Sequence, residues 1–215
     1  MTPTERIALA GLLNEHFPSG LRIVADRIKD GALFVYPTET IYGLGGSSAV
    51  FGVKERISQA KRRAPGDKLI LVAPDRSFFS NIPLIMPLSA EILAAAFWPG
   101  RLTLVLPLRE TATSLAIRVT QHPFIEAIFR YLDAPLFSTS ANVSGKAYIN
   151  DPAIISVLFA GEIDFLIDAG PLPESQPSTV VKVGLDGAVQ VLREGAIEAR
   201  RIFEAVGLKR SNDYR

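Results

Sequence analysis

Short strand-like apolar runs alternate with longer helix-like ones from near the start of the chain to its end, and no other feature limits the fold as much. Residues 32–36 (Ala-Leu-Phe-Val-Tyr) form a continuous apolar run stopped by Pro37, the signature of a short buried strand. Segments 69–73, 102–107, 115–119, 136–138 and 163–167 read the same way, and 179–183 with 188–192 reads as a hairpin across Asp186-Gly187. Between them, 21–29, 49–62, 89–97, 123–132, 152–160 and 196–206 carry helical periodicity. Gly31 supplies a C′ stop, and Pro123 and Pro152 open helices at their first position. Such interleaving predicts one α/β domain, and several crossovers are too short for an all-parallel sheet, so a mixed sheet is expected. That domain covers 20–207, between an N-terminal extension (1–19) and a polar tail (208–215).

With 215 residues, 48% of them hydrophobic, the chain can build a substantial core without staples. The lack of cysteine excludes a thiolate nucleophile, disulfides and cysteine-based zinc. Only two histidines, His16 and His122, leave no multi-histidine metal centre. A net charge of +1 gives no support to a main role in gripping nucleic acid. No apolar stretch is long enough to cross a bilayer and no signal-like start is present, so no membrane partner and a cytoplasmic location are expected.

Polar segments recur at strand ends, where open α/β sheets build their sites. Residues 37–46 (Pro-Thr-Glu-Thr-Ile-Tyr-Gly-Leu-Gly-Gly) set Thr38, Glu39 and Thr40 after a buried strand. Those threonines either reach a ligand or satisfy the turn's own backbone. Lys61, Arg63 and Lys68 either complement a helix C-terminus or clamp a polyphosphate. Without a Walker A pattern, any such clamp is not a P-loop. Residues 137–145 (Phe-Ser-Thr-Ser-Ala-Asn-Val-Ser-Gly) concentrate short donors that fit either an anion-binding nest or an ordinary loop. Arg118 interrupts an apolar strand, so it must meet solvent, a carboxylate or an anionic ligand. Ser178 and Arg193 open and close strands, Trp98-Pro-Gly100 reads as a helix stop, and His122 before Pro123 reads as a structural turn residue.

In this order the segments resemble the threonylcarbamoyl-adenylate synthase family of the YrdC/TsaC type. The resemblance is carried by 37–44, Lys61-x-Arg63, Trp98-Pro-Gly100, Arg118-Val-x-x-His122-Pro123, 138–145, 177–181 and 192–195, spanning roughly 20–197. It implies an open, twisted mixed α/β sheet with helices on its faces and a concave basic cleft. It also implies synthesis of threonylcarbamoyl-AMP and pyrophosphate from L-threonine, bicarbonate and ATP, with Mg²⁺ accompanying the nucleotide. A separate tRNA-modifying transferase complex would receive the product, and weak direct contact with tRNA is compatible with this.

By the same resemblance, Lys61, Arg63, Ser140, Asn142 and Arg193 hold ATP, while Thr38, Arg118 and Ser178 hold L-threonine. Lys61 and Arg63 would position the phosphates; no metal ligand from the protein and no required general base is identified. Glu39 reads either as a base or as a structural acceptor in the turn. Ala64, Lys68, Arg101 and Thr120 stand where the family frequently has proline. The longer members carry a further C-terminal domain, for which 215 residues leave no room. The alternative is a non-enzymatic RNA-binding module on the same fold; salt-sensitive RNA retention without threonine-dependent pyrophosphate release would favour it.

Overall fold

The computed structural model describes residues 4–14, 18–62 and 69–208. The strands are β1 (Glu5–Ala8), β2 (Phe34–Tyr36), β3 (Gly43–Ser47), β4 (Ile70–Ala73), β5 (Leu102–Pro107), β6 (Ser114–Val119), β7 (Leu136–Ser140), β8 (Phe165–Asp168), β9 (Thr179–Val183) and β10 (Val189–Arg193). The helices are α1 (Leu9–Leu12), α2 (Pro18–Lys29), α3 (Val53–Ala60), α4 (Leu88–Phe97), α5 (Pro123–Ile128), α6 (Pro152–Leu158) and α7 (Ala199–Ala205). All the strands join one sheet in the order β1-β8-β2-β3-β7-β4-β6-β5-β9-β10. Its ladders are parallel for β1–β8, β8–β2, β4–β6 and β5–β9 and antiparallel elsewhere, which is the mixed sheet expected.

Helix placement follows apolar spacing. In α2, Leu21, Val24, Ala25 and Ile28 are buried at a helical repeat, with Gly31 beyond at φ 95°. With α1, α4, α5 and α7, this helix covers one face of the sheet in a large core that includes Phe34, Tyr36, Leu71, Leu104, Ile117 and Val181. On the opposite face α3 and α6 cover only the half around β8, β2 and β3, where Ile57 of α3 and Ile155 of α6 share a core with Val35, Leu44 and Leu166 of the strands. Each such fully buried side chain is worth about 1.5–3 kcal/mol. The other half of that face, over β4, β6, β5 and β9, carries no helix from this second core.

Three differences from the sequence reading have local causes. Part of segment 1–19 belongs to the sheet, because Glu5–Ala8 pairs in parallel with β8. The helix expected over 49–62 is shorter, since Gly52 at φ 82° sets its N-terminus. The segment 37–46, read as a polar, glycine-bearing stretch after a strand end, contributes most of β3 (Gly43–Ser47) between β2 and β7. Here glycine is a requirement of spacing. A Cβ on Gly45 would lie 2.4 Å from the Phe137 carbonyl oxygen and 3.1 Å from the Tyr36 ring. Gly45→Ala is expected to destabilise the fold by about 1–3 kcal/mol, in line with other overpacked sites, measured as a shift in the urea midpoint.

Candidate functional site

The half of the sheet left bare by α3 and α6 is the floor of a cavity of about 250 Å³. Ile70, Val72, Val105, Ala116 and Val180 give it an apolar base, and Thr38, Thr40, Thr103, Thr120, Ser138, Ser140 and Ser178 surround that base with hydroxyls. The cations lining it among the described residues are Arg118 and Arg193. A small apolar hollow with a few convergent polar groups is the usual form of a metabolite site.

Arg118, in β6, is 6% exposed. Its Nε donates to Gly100 O at 2.8 Å and its Nη1 to Thr40 Oγ1 at 3.2 Å. Nη2 lies 3.0 Å from Glu39 Oε2, yet off the line of a hydrogen bond, so this buried N–H group is unsatisfied. Burial pushes the guanidinium below its ordinary pKa, and the neighbouring Glu39 charge partly offsets that. Thr120 Oγ1 donates to both Glu39 oxygens at 2.5 Å. Thr38, by contrast, is engaged with its own turn. Its hydroxyl donates to Ile41 O at 2.7 Å and accepts from the Thr40 and Ile41 amides.

Lys61 follows α3 as its C-cap and is fully buried. Its ammonium donates to Ser140 O at 2.5 Å, to Asn142 O, and to Asn142 Oδ1 at 2.9 Å. Ser140 Oγ also donates to Asn142 Oδ1 at 2.6 Å, and Asn142 Nδ2 donates to Lys146 O at 2.5 Å. The lysine is thus the keystone of the serine-rich loop. At the far wall, Arg193 Nη2 donates to Ser178 O at 2.8 Å and sits 3.3 Å from Ser178 Oγ, which shares a 2.9 Å bond with Thr103 Oγ1.

Residues 26–195 match the family model named for Sua5, YciO and YrdC and described as telomere recombination. The chain belongs to this family. Among Sua5/YciO/YrdC relatives, the threonylcarbamoyl-AMP synthase of Pyrococcus abyssi (strain GE5 / Orsay) is 31% identical over 195 residues, 87% of this chain and 57% of the relative. That of Bacillus subtilis (strain 168) is 32% identical over 189 residues, 84% of this chain and 54% of the relative. The chain therefore spans little more than half the length of these curated relatives. The crystal structure of P. abyssi Sua5 complexed with L-threonine superposes with a TM-score of 0.82 at 29% identity, covering 96% of this chain and 61% of that one. E. coli YciO, at 23% identity and TM-score 0.78, covers 94% and 100% and shares the fold.

In this Sua5/YciO/YrdC chain, Thr38, Arg118, Ser140, Ser178 and Arg193 line one cavity, and Lys61 and Asn142 lie just behind its Ser140 edge. Arg63, Lys68 and His16 fall outside the described residues. His122 is structural, as read from the sequence: its Nδ1 accepts from Phe124 N at 3.2 Å as the N-cap of α5, and burial lowers its pKa. Trp98-Pro-Gly100 does more than stop α4. Gly100 N donates to Val119 O at 2.8 Å, holding beside β6 the carbonyl that Arg118 uses. The sequence reading missed Thr103 and the Tyr36–Ser138 bond of 2.7 Å, in which burial pushes the phenol up to about 12. A lone hydroxyl inside the apolar run Leu-Thr-Leu-Val-Leu was the available signal for Thr103.

Proposed function

We propose that this chain is a threonylcarbamoyl-AMP synthase, a nucleotidyltransferase of the cytoplasm acting on L-threonine, bicarbonate and ATP. The observation that carries the reading is the buried, unsatisfied Nη2 of Arg118 at the base of a hydroxyl-lined cavity. A guanidinium held in that way offers a fork to a small carboxylate. The surrounding hydroxyls can hydrogen-bond a side-chain hydroxyl, and Thr38 and Ser178 sit among them. Two threonylcarbamoyl-AMP synthases among its relatives, and a Sua5 structure complexed with L-threonine, support the same reading.

In the reaction, the threonine amine and bicarbonate give a carbamate and water. A carbamate oxygen then displaces pyrophosphate from the α-phosphorus. Orientation and charge neutralisation carry most of such a reaction. Ser140 and Asn142 form the nest for phosphate oxygens, Lys61 shapes that nest from behind, and Arg193 stands at the opposite wall next to Ser178. Arg63 is assigned to the same ATP phosphates in this reading. The cavity's hydroxyls and guanidinium groups suit anionic oxygens, and no cluster of metal ligands occurs among the described residues, so Mg²⁺ would be held by the nucleotide and would supply charge neutralisation at its phosphates. The adenylate passes to a transferase complex that modifies tRNA, with at most weak tRNA contact here. Among the described residues, no helix is long and apolar enough to cross a membrane.

The test is pyrophosphate release with ATP, bicarbonate and each amino acid in turn. L-threonine is expected to stimulate release above serine or valine; equal release with every amino acid removes the assignment.

A further inference from the structure

We propose that Glu39 is a positioning residue for the amino-acid subsite, acting through Arg118 and braced by Thr120. The inference rests on the reading of the cavity as a threonine site and adds a residue to it. Thr38, Thr40, Arg118 and Thr120 line the cavity, and Glu39, which does not line it, contacts Arg118 and Thr120. Two of the three guanidinium nitrogens have fixed acceptors, the Gly100 carbonyl and the Thr40 hydroxyl. The third, Nη2, lies 3.0 Å from the Glu39 carboxylate but out of line with it, and has no hydrogen-bond acceptor among the described residues. That arrangement compensates the buried cation while leaving the hydrogen-bonding capacity of Nη2 unspent for a ligand oxygen. An uncompensated guanidinium at this depth would turn toward solvent or draw in another anion.

Glu39 is itself fixed. Thr120 Oγ1 donates to both of its oxygens, and Thr120 N donates to Ala73 O at the end of β4 at 3.1 Å. A strand end therefore sets the hydroxyl, the hydroxyl sets the carboxylate, and the carboxylate sets the fork. Thr120→Val removes the brace without removing the charge, whereas Glu39→Gln keeps the shape and removes the charge.

The experiment measures L-threonine and ATP affinity by calorimetry for wild type, Glu39→Gln, Thr120→Val, Thr120→Ser, Arg118→Lys and the Glu39→Gln/Arg118→Lys double variant. Glu39→Gln is expected to weaken threonine binding about tenfold and leave ATP binding within about twofold, as loss of one charge-assisted contact would. Thr120→Val should weaken threonine in the same direction by less, and Thr120→Ser should restore it. In the Arg118→Lys background, Glu39→Gln should add little, because a residue acting through another is not additive with it. A wild-type threonine affinity in Glu39→Gln, an additive double variant, or equal loss of threonine and ATP overturns the proposal. If Glu39→Gln does not fold, an unchanged threonine affinity in Thr120→Val overturns it. Wild-type protein that binds no threonine removes the functional reading, and this inference with it.

Discussion

Replacing Arg118 with alanine is expected to raise the L-threonine concentration for half-maximal pyrophosphate release by about 100-fold, equivalent to roughly 2.7 kcal/mol. Two losses combine. The carboxylate of the substrate loses its fork, and Glu39 keeps a part-buried charge that has lost its guanidinium partner. Arg118→Lys separates them. It retains a positive charge near Glu39 but cannot reach Gly100 O, Thr40 Oγ1 and a ligand at once. It should therefore recover thermal stability more than it recovers the threonine requirement. An Arg118→Ala protein with an unchanged threonine requirement would place the amino acid elsewhere.

The second large effect is at Lys61. Lys61→Ala takes the charged donor away from the Ser140 carbonyl, the Asn142 carbonyl and Asn142 Oδ1; the Asn142 amide and Ser140 Oγ still serve the first and the last, so the Asn142 carbonyl suffers most. Buried acceptors left without a donor cost about 1–3 kcal/mol each, and part of that is recovered by water entering the gap. A net loss of about 3 kcal/mol should lower Tm by about 10 °C in a chain of this size. Because the loop carries Ser140 and Asn142, ATP use should fall along with Tm, while threonine affinity at the Arg118 end changes little. Lys61→Met fills the stem's volume without donors, so it should behave like alanine if hydrogen bonding is the cause. A methionine variant of wild-type stability would show that packing, not the ammonium, secures the loop.

Much of this architecture was legible because the strands around the cavity are largely apolar, and β4, β5 and β9 stop at Pro74, Pro107 and Gly184. β5, β6, β9 and α4 lie where periodicity places them. β3 was not legible, because three of its five residues are glycines and none of them signals a strand by propensity. Its requirement for glycine comes from Phe137 and Tyr36, distant in sequence and pressed against it. β1 was missed for a related reason: Glu5-Arg6-Ile7-Ala8 is largely exposed and owes its extension to an edge partner, with Arg6 bonded to Asp168 at 2.5 Å. At the site, Arg118 stood out as a charge inside an apolar strand. The sequence left open whether Glu39 was base or brace, since its partners Thr120 and Arg118 lie far along the chain.

The cavity floor has a further consequence for how this molecule can change. Along β4, β5, β6 and β9, Ile70, Val72, Thr103, Val105, Ala116, Arg118 and Val180 look into the hollow, and their immediate neighbours Leu71, Leu104, Ile117 and Val181 look into the core. Backbone ladders hold both sets at once. Substrate range can thus drift by swapping every other residue of four adjacent strands, while the intervening letters stay locked by the need to fold. A specificity change in such a chain would leave a two-residue rhythm in its sequence.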